Sequence, residues 1–72
     1  MTFDKFKTMI LAFAKANGVR VNKVFIGDKN KYIARCADGW EISGSYSNAN
    51  LTFKNRNHMH LVPVASVAGI LG

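Results

Sequence analysis

Acidic side chains are scarce in this chain. Four Asp and Glu stand against ten Lys and Arg, which leaves a net charge of +6 on 72 residues. Cysteine is scarcer still. Cys36 alone can form no intrachain disulfide and cannot build a zinc site by itself. A free thiol without a partner fits a reducing, cytoplasmic setting. No apolar run approaches the roughly 20 residues that a membrane-spanning helix needs, so no membrane partner is expected. The start, Met-Thr-Phe-Asp-Lys, puts no cationic stretch ahead of a long apolar one, and no secretory leader is read there. The six glycines are scattered, which rules out a glycine-rich phosphate loop. With 49% hydrophobic and 19% charged residues, the composition is that of a folded chain and not of a disordered one. Its length allows one domain, 1–72, with a thin margin of stability.

What is present is unevenly placed. Residues 1–38 carry eight basic and three acidic side chains, and residues 39–72 carry two and one. From Asn57 onward only His58 and His60 titrate among the side chains. The N-terminus reads as a helix over about 2–17. Thr2 is placed to cap it, and Asp4 favours the positive end of its dipole. Phe3, Phe6, Met9, Ile10, Phe13 and Ala14 fall within one arc at helical spacing. Asn17-Gly18 is a stop signal. Lys5, Lys7 and Lys15 form no stripe, so the helix is a poor candidate for reading a nucleic-acid groove.

The remainder reads as strands near 19–26, 31–36, 40–46, 49–54 and 58–63, separated by turn-forming residues. Connections this short make neighbours antiparallel. A three-residue loop at 37–39 pairs Cys36 with Trp40, and a two-residue turn at 47–48 pairs Tyr46 with Ala49. A three-residue loop at 55–57 pairs Phe53 with Met59 and Leu51 with Leu61. This register puts Tyr32, Ala34, Cys36, Trp40, Ile42, Tyr46, Leu51, Phe53, Met59 and Leu61 on one face. In the first strand Val19 and Val21 share one phase, and Val24 and Ile26 the other; a bulge near Asn22-Lys23 reconciles them. The fold expected is α+β. An N-terminal helix packs on an antiparallel, strongly bent meander of about five strands, which could curl toward a small open barrel with Gly44 as a bending point.

The opposite face then carries Lys31, Ile33, Arg35, Glu41, Ser43, Ser45, Asn50, Thr52, Lys54, His58 and His60, with Arg20 and Lys23 from the first strand. The candidate binding set is its cationic part: Arg20, Lys31, Arg35, Lys54, His58 and His60. Its complement is anionic, either an acidic protein surface or a nucleic-acid backbone. Against this stands a plainly solvated sheet face. Every strand aromatic after residue 30 points inward in this register, which disfavours a base-stacking platform; Phe25 is left unassigned.

Catalytic chemistry finds no constellation, and no enzyme is expected. Asp4 sits at a helix start, Asp28 and Asp38 in turns, and Glu41 alone on a sheet face, so no acid/base pair forms. Cys36 and the histidines fall on opposite faces, which argues against a thiol nucleophile. His58-x-His60 offers two imidazoles where a structural metal wants four ligands, so no metal and no cofactor are expected. The uncharged stretch 64–72 is either a lid over the core or a contact between copies of the chain. The expected function is a small non-catalytic module that docks on a partner protein, as regulators and inhibitors of phage or mobile-element type do. The alternative is a basic module that grips the nucleic-acid backbone without reading sequence.

Overall fold

The computed structural model describes residues 1–46 and 50–71, the last four as backbone only. Helix α1 (Phe3–Ala16) begins where Thr2 Oγ1 accepts a hydrogen bond from the Lys5 N–H at 3.2 Å, with Asp4 in the first turn. It ends at Asn17, whose side-chain amide donates to the Phe13 carbonyl at 2.8 Å, and Gly18 follows at φ +67°. Five strands follow: β1 (Val21–Ile26), β2 (Lys31–Cys36), β3 (Glu41–Ser45), β4 (Asn50–Asn55) and β5 (His58–Pro63). A second helix, α2 (Val64–Leu71), ends the described chain.

The strands pair antiparallel in the order β1-β2-β3-β4-β5. The sheet does not close into a barrel; β1 and β5 are its edges. The β2–β3 hairpin has the register expected from its loop, with the Cys36 N–H donating to the Trp40 carbonyl at 2.8 Å. Gly39 takes the left-handed conformation at φ +82°, and Asp38 does the same at +63°. Ile42 stands opposite Phe53, also as expected. The register of β1 on β2 shifts between Val21 and Lys23, so the bulge lies where the two apolar phases required it. The turn expected at 47–48 lies outside the described residues.

The core forms between the inner sheet face and α1. Phe6, Ile10, Tyr32, Ala34, Cys36, Ile42 and Leu51 are buried there. Aromatic edges fit into it: the Phe3 and Phe6 rings lie 5.6 and 5.5 Å from Tyr32, and Phe13 meets Phe53 at 5.5 Å. The Tyr32 hydroxyl donates to the Met1 carbonyl at 3.1 Å, so its one polar atom is satisfied. Each large apolar side chain fully buried here contributes about 1.5–3 kcal/mol. Helix α2 packs on α1 and β5, and its Val67 is 1% exposed. The C-terminal stretch is therefore a lid at Val67, and it completes a two-helix layer over one sheet face.

Two expectations about facing are corrected. Tyr46, placed on the core face by alternation, is 72% exposed. It stands one residue past the end of β3, where strand alternation no longer holds it inward. Met59 and Leu61, also placed inward, are 66% and 69% exposed. The β4–β5 turn has two residues, Arg56 and Asn57, not three, so Asn55 pairs with His58 and the whole strand moves by one. Asn55 stays in the strand because its side-chain amide donates to the Asp38 carbonyl in the β2–β3 loop, at 3.1 Å. On the inner side Val62 takes the place expected of Leu61, beside Val64 and Val67 of α2.

Cys36 is 5% exposed, and desolvation by burial pushes its thiol pKa up from the ordinary value. Folding therefore favours the neutral thiol. The stability it contributes is complete below the ordinary thiol range and is lost as pH rises through the raised value. At neutral pH a thiol reagent is expected to label native protein at least about tenfold more slowly than denatured protein, since thiolate and access are both reduced. Equal rates would show that the β2–β3 hairpin does not bury this side chain.

Candidate binding face

The outer face of the sheet is built by two cross-strand rows. The first runs Lys23–Arg35–Glu41–Lys54–Met59 from β1 to β5. The second runs Phe25–Ile33–Ser43–Thr52–Leu61 beside it. Lys31, opposite Ser45, lies on the far side of the second row. An apolar and hydroxyl strip is thus bordered by exposed cations on both sides. Glu41 is the one carboxylate among these paired positions, and it stands directly between Arg35 and Lys54. Opposite charges in facing positions favour this strand pairing, in general by about 0.2–1 kcal/mol per pair.

Ser43 and Thr52 are small, so the middle of the face is hollow. The hollow measures about 310 Å³, walled by Ile33 and Met59 and rimmed by Lys31, Glu41 and Lys54. At the β1 edge Phe25 is half-buried beside two cations. Lys23 Nζ lies 4.9 Å from its ring centroid and Arg35 Cζ 5.4 Å. Such contacts are worth about 0.5–1 kcal/mol where exposed. The bulge decides this orientation: it turns Val24 inward opposite Ala34 and so turns Phe25 outward opposite Ile33.

The sequence-derived set divides accordingly. Lys31, Arg35 and Lys54 lie together on this face, all exposed. Arg20 is exposed just before β1, at the end of the face, its carbonyl accepting from the Ala37 N–H at 2.9 Å. His58 and His60 do not belong to it. They stand opposite Asn55 and Phe53 on the helix-bearing side, because the two-residue turn moves β5 by one position. Met59 and Leu61 take their places. Sequence reasoning missed these two and left Phe25 open, although the bulge it placed in β1 already implied an outward Phe25.

Elsewhere the chemistry is sparse. Among the described residues no three of His, Cys, Asp and Glu come together, and no buried polar side chain is present. A second crevice of about 230 Å³, near the end of α1, is lined by residues that include Phe13, Asn17, Val19, Cys36, Trp40 and Phe53. It offers apolar surface and one neutral thiol. No helix among the described residues is long and apolar enough to cross a membrane. No protein-family model, curated protein or solved structure matches this chain.

Proposed function

We propose that the protein is a non-catalytic docking module whose outer sheet face takes an acidic surface of a partner protein. The observation that carries this reading is the composition of that face. Phe25, Ile33, Met59 and Leu61 supply apolar contact in a field of Lys23, Lys31, Arg35 and Lys54. Protein interfaces combine an apolar centre, enriched in aromatic residues, Met and Arg, with a charged rim. Nucleic-acid interfaces are more polar, and the two exposed aliphatic side chains on β5 have no use in gripping phosphates. The cations speed encounter with an acidic partner and reject basic ones, and the apolar strip supplies the holding energy.

Phe25 favours a second reading. One outward ring beside two cations is a minimal platform for stacking a base of single-stranded nucleic acid.

The test compares wild type with Arg35→Glu plus Lys54→Glu. Proteins captured by each are identified, purified and titrated directly, beside single-stranded and duplex oligonucleotides at low and high salt. A purified acidic protein that binds wild type and is lost by about tenfold or more in the double variant supports docking. Oligonucleotide binding that weakens steeply with salt, and whose salt dependence flattens in the variant, would transfer the face to nucleic acid. A folded variant that loses neither interaction makes the face a solvated surface.

A further inference from the structure

The two edges of the sheet are not alike. Strand β1 carries a bulge and Lys23, two devices that discourage another strand from pairing with it. Strand β5 has neither. Its six residues pair with β4 without interruption, it holds no Lys, Arg, Asp or Glu, and His58 to Leu61 are all exposed.

Which backbone groups face that open edge follows from the ladder. The Cys36 N–H bonds to the Trp40 carbonyl, so residues 36 and 40 form a hydrogen-bonded pair. Bonded and non-bonded pairs alternate along each antiparallel ladder, and a residue bonded to one neighbour turns its backbone away from the other. Carried across β3 and β4, this directs His58, His60 and Val62 toward β4. A two-residue hairpin closed by Asn55 and His58 gives the same answer. Met59 and Leu61 therefore point their N–H and C=O groups out of the sheet. Pro63 falls in the same phase and has no N–H, so the open stretch ends there.

The geometry points to a symmetric dimer in which β5 pairs antiparallel with β5 of a second copy, about a two-fold axis at His60. The strand is its own complement in that arrangement. Met59 faces Leu61 of the partner copy and Leu61 faces its Met59, each pair exchanging both backbone hydrogen bonds. The two His60 residues meet at the axis as a non-bonded pair. The exposed Met59 and Leu61 side chains then cover each other on the outer face. A second copy also answers the charge problem. A chain of net charge +6 repels itself over most of its surface, and β5 is the edge where two copies meet without opposing charged side chains. The outer faces of the two copies would become one ten-stranded surface.

Sedimentation equilibrium of the full chain over a range of concentrations tests this. Wild type is expected to shift from 7.9 kDa toward twice that mass. Leu61→Lys places cations across the axis and is expected to stay monomeric with an unchanged circular dichroism spectrum, because the side chain is exposed. Met59→Lys must give the same result from the other position. Amide exchange at Met59 and Leu61 should slow as concentration rises, while His60 and Val62, already bonded to β4, should not change. Wild type that remains monomeric at about 1 mM overturns the proposal. So does a dimer that persists in both lysine variants, or one in which the Met59 and Leu61 amides gain no protection. Arg35→Glu plus Lys54→Glu should still dimerise, which separates the β5 pairing from the role of the cations on the docking face.

Discussion

Replacing Gly44 by valine is expected to lower the melting temperature by about 10–20 °C. Gly44 lies on the inner side of β3, under α1. A Cβ built there would lie 2.8 Å from Leu51 Cδ2 and 3.4 Å from both Phe6 Cε1 and Met1 Cε. Leu51 and Phe6 are 0% exposed, so neither has empty space to move into. Alanine already brings the first of these contacts below van der Waals distance. It gains some chain entropy in the unfolded state, and a net loss of about 1 kcal/mol is expected. Valine adds two more carbons to the same site and forces helix and sheet apart. Thermal denaturation followed by circular dichroism checks both. An alanine variant as stable as wild type would mean that helix and sheet are not held at this separation. The glycine that reads in sequence as a bend is thus also a seat for Phe6.

Val67→Asp is expected to unfold the protein at room temperature. Among the described residues Val67 is one of four fully buried large side chains, with Phe6, Ile10 and Leu51. A carboxylate there would meet apolar neighbours and no cation. Leaving such a charge unpaired costs about 4 kcal/mol or more. A folded chain of this size commands only about 4–10 kcal/mol in total. The neighbouring Ser66 is exposed, and Ser66→Asp should change stability by less than about 0.5 kcal/mol. Chemical-shift dispersion in a proton NMR spectrum distinguishes the two at once. A well-dispersed Val67→Asp spectrum would show that α2 does not close the core.

Most of the architecture could be read from residues because local and global demands agreed. In the β2–β3 hairpin, Gly39 marked the left-handed position, and only one register placed Tyr32, Ala34, Cys36 and Ile42 together. The two valine phases of β1 demanded a bulge between them. Strand β5 was different. In His-Met-His-Leu-Val-Pro both phases carry apolar residues, so alternation could not choose, and the larger pair, Met59 and Leu61, drew the wrong register. What decides it lies elsewhere in the chain: Asn55 is tied to Asp38 in another loop, and Val62 gains its cover from α2. The same shift exchanged two histidines for two aliphatic side chains on the candidate face. Lys31, Arg35 and Lys54 were legible because strands β2 to β4 were in register. Phe25 was not assigned because its direction hangs on the bulge alone.

Each strand pairs with its neighbour in sequence, while α1 and α2, from opposite ends of the described chain, meet over the sheet. These two kinds of contact form on different clocks. Hairpins with short turns close in about 1–10 μs, whereas contacts between distant segments wait on the slower search of a long loop. The meander is therefore expected to assemble first and the helical layer to seal last. During synthesis the order is stricter still. Until Val67 has cleared the ribosome, the core lacks one of the four large side chains that are fully buried among the described residues, and a chain that has emerged only as far as β5 can form the sheet but cannot complete its roof.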